Sequence, residues 1–337
     1  MGEVKIVMKR NFFALVAVVL SLSLGLTACT GSGGKEPPKG GGQAPVKAAL
    51  GVSTWIGYSP LAVAKEKGFF AKRGLDLTIQ VMENVSDRRA AMAANRIQGF
   101  ATTPETHIVT AASGVDVVQV LALDDSKGGD GIVAKKDING IKDLKGKTVA
   151  LQTGGGASFF FLGYLLSREG LSYKDLKIQP MTAGDAGAAF VAGKVDAAVT
   201  WEPWLSRAKA TDFGKVLISS DQAPGIITDT IGLRKDFVAK HPEAVKALVG
   251  GWFEAVQLYQ DKPDEALPSM AKFSGVSVDE MKKELALVKL FDQADNEKYF
   301  GGAVQGILAK AADLWLQEKI IDQKPDLNAM IDTSFLK

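Results

Sequence analysis

The 337-residue chain carries 40 Lys and Arg against 38 Asp and Glu, is 46% hydrophobic, and has two histidines and one cysteine. A near-neutral chain without basic runs argues against a nucleic-acid partner, and a single cysteine excludes a disulfide within the chain. The length is enough for two domains or one bilobal unit.

In chain order, Lys9-Arg10 precede an apolar run from Phe12 that is too short for a confident membrane span. "LTAC" follows, Leu26 to Cys29, with small residues just before the lone cysteine. Residues 1–28 therefore read as a signal peptide, and the pattern resembles a bacterial lipobox with Cys29 as the lipidated acceptor. Residues 29–47 are rich in Gly, Pro, Ser and Lys without apolar periodicity, and read as a flexible tether. Residues 1–28 hold three basic residues and one acidic one. The remainder thus has 37 of each sign (40 − 3 and 38 − 1) and is formally neutral.

From Ala48 onward β-like and helical runs alternate, which predicts an α/β fold with a parallel-rich sheet. "ALGVST" leads into a helix opening at Ser59-Pro60 and running to Gly74; "LDLTIQVM" is the next strand. Ser86 is placed to cap "DRRAAMAAN", and "FATT" runs into "PETHIVTAASG" before the long strand "VDVVQVLALD". The second part repeats this order: "TVALQT", a glycine loop, the helix "SFFFLGYLLSREG", then "DLKIQPM" and "GDAGAAFVAGKVDAAVTWEP". "DLKIQPM" echoes "DLTIQVM" at an offset of 99, and the Ala-rich segment echoes "SDRRAAMAANRIQGFATTPE" at 98. Two similar lobes are expected. Thr102-Thr103 and Thr200-Trp201 then occupy equivalent strand ends, where open α/β sheets collect ligands.

The segments "WIGYSPLAVAKEKGFFAKRGLDL", "DLKGKTVAL", "AFVAGKVDAAVTWEPW" make the chain resemble solute-binding proteins of ABC importers in the nitrate/sulfonate/taurine group. These are related to binders of thiamine pyrimidine precursors. The resemblance implies a type II periplasmic-binding-protein fold: two α/β lobes joined by two crossover segments, with C-terminal helices packed on the first lobe. Lobe 1 is expected at 48–126 and 224–337, and lobe 2 at 127–223. The crossovers are expected near Leu123–Gly131 and Pro224–Thr230, with hinge closure trapping the solute.

Candidate solute contacts are the loops at the ends of the repeated strands: Trp55, Tyr58, Asp87, Thr102, Thr103, Asp124, Ser126, Gly155, Gly156, Ala157, Ser158, Trp201, Glu202 and Asp229. Glycines at 154–156 let backbone approach closely, and the helix after them offers free N–H groups to an anion. A tight turn without a ligand is the other reading of that loop. Glu202 and Asp229 beside tryptophans suit an ammonium by ion pairing and cation–π attraction. Together they predict a solute with an anion at one end and an amine at the other, as in taurine. A neutral amino-heterocycle is the alternative. Trp204, Trp252 and Trp315 read as packing on helices.

No metal site, cofactor or catalytic motif is expected. His107 and His241 lack partners at ligand spacing, and no Gly-x-Ser-x-Gly elbow occurs. The chain is thus expected to be a non-enzymatic, monomeric solute receptor outside the cytoplasm. Its lipid on Cys29 would hold it to the bacterial cell membrane, and its partners would be a permease and an ATPase. A sensor subunit is the other class with this layout.

Overall fold

The computed structural model describes residues 44–337. The readings placed on 1–28, on Cys29 and on the tether up to residue 43 lie outside the described residues. The first strand already starts at Val46. Val46 and Lys47, which composition assigns to the tether, pair in register with Leu75 and Asp76.

The strands are β1 (Val46–Val52), β2 (Leu75–Val81), β3 (Gly99–Thr102), β4 (Val117–Ser126), β5 (Asp130–Lys135), β6 (Thr148–Leu151), β7 (Lys177–Pro180), β8 (Ala197–Trp201), β9 (Gly214–Ser219), β10 (Thr228–Arg234) and β11 (Val288–Leu290). Helices α1 (Pro60–Glu66), α2 (Val85–Ala93) and α3 (Pro104–Ala112) alternate with the first strands. With the second set come α4 (Ala157–Arg168), α5 (Ala183–Val191) and α6 (Trp204–Lys209). Six helices lie beyond β10: α7 (Lys235–Lys240), α8 (Pro242–Asp261), α9 (Pro263–Ser274), α10 (Val278–Leu285), α11 (Gln293–Lys298) and α12 (Val304–Gln317).

Two sheets result, ordered β11-β4-β10-β3-β1-β2 and β7-β6-β8-β5-β9. Each is mixed. β2-β1-β3 and β7-β6-β8 run parallel, while β10 and β5 insert antiparallel beside them. Each inserted strand is the first one laid down after the chain changes sheets, through residues 127–129 outward and 220–227 on return. A chain arriving from the far sheet enters from the opposite end, so the parallel-rich expectation fails at those strands.

The internal repeat is visible in the register. Leu50 pairs with Ile79 and Gly99; Val149 pairs with Ile178 and Ala197. These are offsets of 99, 99 and 98. The capping positions repeat as well: Asn84 caps α2 through Ser86 N–H, and Thr182 caps α5 through Asp185 N–H. Asn84 therefore holds the role the sequence assigns to Ser86. The helix expected to reach Gly74 ends at Glu66 instead, because Gly68 takes a left-handed φ of 74° and turns the chain.

Trp252 and Trp315 are fully buried, and their indole N–H groups donate to Phe291 O and Glu105 O, both at 2.9 Å. α8 packs on α1 beside the first sheet. α12 departs from the expected placement on the first lobe alone. It packs on α3 and also on α4, and the Trp315 ring lies 5.9 and 5.6 Å from Phe159 and Phe160. Among the described residues no helix is long and apolar enough to cross a membrane.

Candidate functional site

Between the sheets the strand ends converge on a small cavity. The first lobe contributes Ser53, Trp55, Tyr58, Arg88 and Thr102, and the second contributes Gln152, Gly156, Ala157 and Trp201. Asp130 and Asp229, each at the start of a strand that follows a crossing, complete it with Val85 and Ile227. In this closed arrangement the enclosed volume is about 20 Å³, room for about one water, so anything larger is admitted only as the lobes part. Contacts across the lobes seal it. Arg89 Nη2 donates to Gly154 O (3.0 Å), Gln152 Nε2 donates to Glu83 O (3.2 Å), and the Trp55 and Trp201 rings meet edge-on at 6.2 Å.

The register of β4 and β10 sets Asp124 opposite Asp229. Trp55 Nε1 donates to Asp124 Oδ1 at 3.0 Å, while Asp124 Oδ2 has no partner. That oxygen lies so near the backbone of Gly57 that a Cβ there would stand 2.2 Å from it, which explains a glycine between Ile56 and Tyr58. The Tyr58 hydroxyl donates to Asp229 Oδ1. Asp130 Oδ2 is also buried without a partner.

Burial sets the protonation of these groups. It pushes Asp229 up to about 7, against the Tyr58 hydrogen bond and the Arg88 charge. Burial likewise lifts Asp130 to about 8. Asp124 rises well above the carboxylate range, through burial first and the Asp229 charge second. Arg88 is only 4% exposed, and its Nε and Nη1 find no acceptor. Burial lowers its pKa, which the nearby carboxylates Glu83 and Asp229 oppose.

The positive side of the cavity is therefore Arg88 with the start of α4. Gly156 is the N-cap of that 12-residue helix and supplies no capping side chain, so the first-turn N–H groups stay available. Its neighbour Gly155 takes φ 82°, and a Cβ there would meet Val109 Cγ2 at 2.6 Å. The acidic side is Asp130 and Asp229, with Asp124 behind Trp55. One cavity thus presents free donors to an anion, and the unpartnered Asp130 Oδ2 with the Asp229 carboxyl to an amine.

Seven of the sequence-derived positions line this cavity: Trp55, Tyr58, Thr102, Gly156, Ala157, Trp201 and Asp229. Asp124 sits directly behind Trp55. The other six have different placements. Asp87 is exposed in the first turn of α2. Thr103 is fully buried and donates to Glu105, while Ser158 is buried inside α4. Gly155 faces Val109. Ser126 Oγ meets Ser220 Oγ at 2.8 Å and accepts from Asp130 N–H at 3.1 Å, tying the two crossings together. Glu202 is buried beside the cavity, but its carboxylate accepts from Ser206 N–H (3.0 Å) and Ser206 Oγ (2.9 Å), a cap on α6. A serine four residues on satisfies this carboxylate locally, and that local bond wins over the inner cavity.

Sequence reasoning missed Arg88, Asp130 and Gln152. A signal for Arg88 was present: Arg88-Arg89 stand near the start of α2, where the helix dipole disfavours cations. Such a local conflict marks a functional position. Asp130 and Gln152 carried no such signal. Among the described residues no group of three or more His, Cys, Asp or Glu is arranged to hold a metal ion.

Two α/β lobes closed over a polar cavity define a solute-binding protein with the periplasmic-binding-protein fold. Residues 55–266 match the family described as "NMT1/THI5 like", and the chain belongs to that family. It is 26% identical over 336 residues to the "Putative aliphatic sulfonates-binding protein" of Bacillus subtilis (strain 168), covering 98% of this chain and 96% of that one. To the taurine-binding periplasmic protein of Escherichia coli (strain K12) it is 28% identical over 245 residues, 68% of this chain and 75% of the relative. The fold matches the alkanesulfonate-binding protein SsuA from Xanthomonas axonopodis pv. citri bound to MOPS, with a TM-score of 0.71 at 19% identity. That match covers 87% of this chain and 100% of the other.

Proposed function

We propose that the protein is an extracytoplasmic receptor, lipid-anchored through Cys29, that captures a small sulfonate carrying an amine and hands it to an ABC permease with its ATPase. The observation behind this reading is the meeting of Arg88 and the α4 N-terminus with Asp130 and Asp229 in one cleft between the lobes, with Asp124 behind Trp55. The sulfonate takes the free Arg88 N–H groups and the first-turn N–H groups of α4. The ammonium displaces the protons that burial keeps on the carboxyls. Relatives that carry sulfonates and taurine in their names support the anion half.

Closure confers specificity because each lobe supplies part of the hydrogen-bonding set. A solute lacking one end leaves buried polar groups unpaired. Calorimetry on the purified protein with taurine, ethanesulfonate and ethylamine tests this. Taurine is expected to bind at least about tenfold tighter than ethanesulfonate, the effect of one charge-assisted hydrogen bond. Equal affinities would remove the role of the carboxyls. A second reading, an amino-pyrimidine held between Trp55 and Trp201 against Asp229, draws on the edge-on ring pair. Binding of a thiamine pyrimidine precursor with no response to any sulfonate would select it.

A further inference from the structure

Next to the inner cavity lies a larger one of about 310 Å³. Trp201 lines both spaces. The walls of the outer one come from both lobes and from the C-terminal helices, and carry four carboxylates, Glu83, Asp185, Glu202 and Glu284, with no Lys or Arg among the lining residues. The ring of Trp204 completes it.

Three of the four carboxylates have internal work. Glu83 Oε1 accepts from Thr54 N–H (3.1 Å), Asp185 accepts from the Thr182 hydroxyl (2.7 Å), and Glu202 is held by Ser206. Glu284, on α10, does not. It is 6% exposed, and its Oε2 is buried with no hydrogen-bond partner, as is the hydroxyl of Ser274 on the same wall. The nearest cation, Arg207, lies over the Trp204 ring at 4.6 Å and forms no ion pair among the described residues. Burial first, then the charges of Glu202 and Glu280, push Glu284 up to about 7. Carboxylates brought together from two lobes oppose closure, and a cation between them favours it.

We propose that the outer cavity is a second subsite, taking a protonated alkylamine at the far end of the same solute. The ammonium N–H donates to the Glu284 carboxylate, and its alkyl groups rest against the rings of Trp201 and Trp204. The solute is then longer than a two-carbon aminosulfonate. This rests on the sulfonate occupying the inner cavity as read above.

Calorimetry with three probes separates the two readings: propanesulfonate, 3-(dimethylammonio)propanesulfonate and the trimethylammonium ion. The dimethylammonio compound is expected to bind at least about tenfold tighter than propanesulfonate, and Glu284→Gln is expected to lower that ratio. A parent ratio of one, or a ratio that Glu284→Gln leaves unchanged, overturns the subsite while the inner anion site stands. If neither sulfonate binds, the sulfonate reading falls and trimethylammonium decides. Binding that Glu284→Gln abolishes upholds a cation site at Glu284, and no binding overturns it. Thermal unfolding of unliganded Glu284→Gln checks the fold, which the isosteric change is expected to leave intact.

Discussion

Replacing Arg88 by methionine isolates the anion half of the site. Methionine keeps the aliphatic stem beside Gly51 and under Phe100, whose ring centre lies 6.0 Å from the guanidinium carbon. What disappears is the guanidinium, with its two buried N–H groups that lack acceptors. In the unliganded protein each unmatched donor costs about 1–3 kcal/mol, so their removal is expected to leave thermal stability unchanged or raised. The countercharge to Asp229 is lost too. At pH 6 that carboxyl, at about 7, is mostly protonated, and little charge is stranded. Hydrogen bonds to a charged partner contribute about 1.5–3 kcal/mol, so Arg88→Met is expected to raise the Kd for ethanesulfonate about 10- to 150-fold. Lysine keeps a point charge without the planar fork and is expected to fall between. Calorimetry at pH 6 with thermal unfolding in parallel gives both quantities. An unchanged Kd for ethanesulfonate with the fold intact would refute the assignment of Arg88 to the anion.

Trp201→Ala is expected to weaken solute binding at least about tenfold, because a half-buried ring shared by both cavities is lost; unchanged calorimetric affinity would count against it. Glu202→Gln is expected to act on stability, lowering it by about 1–2 kcal/mol in denaturant titration through the weakened cap on Ser206, with sulfonate affinity unchanged. The unliganded protein is expected to lose stability from pH 6.5 to 8.5. Asp130 and Glu105 at about 8, and Asp229 at about 7, keep protons in the fold that the unfolded chain sheds near pH 4. The native state therefore binds more protons in this window, and stability falls as pH rises, by at most about 1.4 kcal/mol per pH unit for each group. His107, held neutral by burial at about 3, acts in the opposite direction only below about pH 6.5. A flat melting temperature from pH 6.5 to 8.5 would show that these carboxyls are already ionised in the fold.

Local rules carried far in this chain. Period and punctuation located the strand–helix–strand repeat, and its offsets of 99 and 98 reappear as the pairing partners of Leu50 and Val149. Strand ends marked Trp55, Tyr58, Thr102 and Asp229 because the chain must turn there and a solute can approach. Three matters were decided only by tertiary structure. β5 and β10 insert antiparallel because each arrives from the other sheet, a long-range event with no local trace. Glu202 and Thr103 spend their oxygens on near neighbours, a choice between equal local options that packing resolves. Arg88, Asp124, Asp130 and Asp229, spread over 142 residues, come together because the first sheet pairs Asp124 with Asp229, α2 brings Arg88 to them, and the crossing to the second sheet adds Asp130. Burial, the largest cause of their shifted protonation, is a property of the closed fold and of no segment within it.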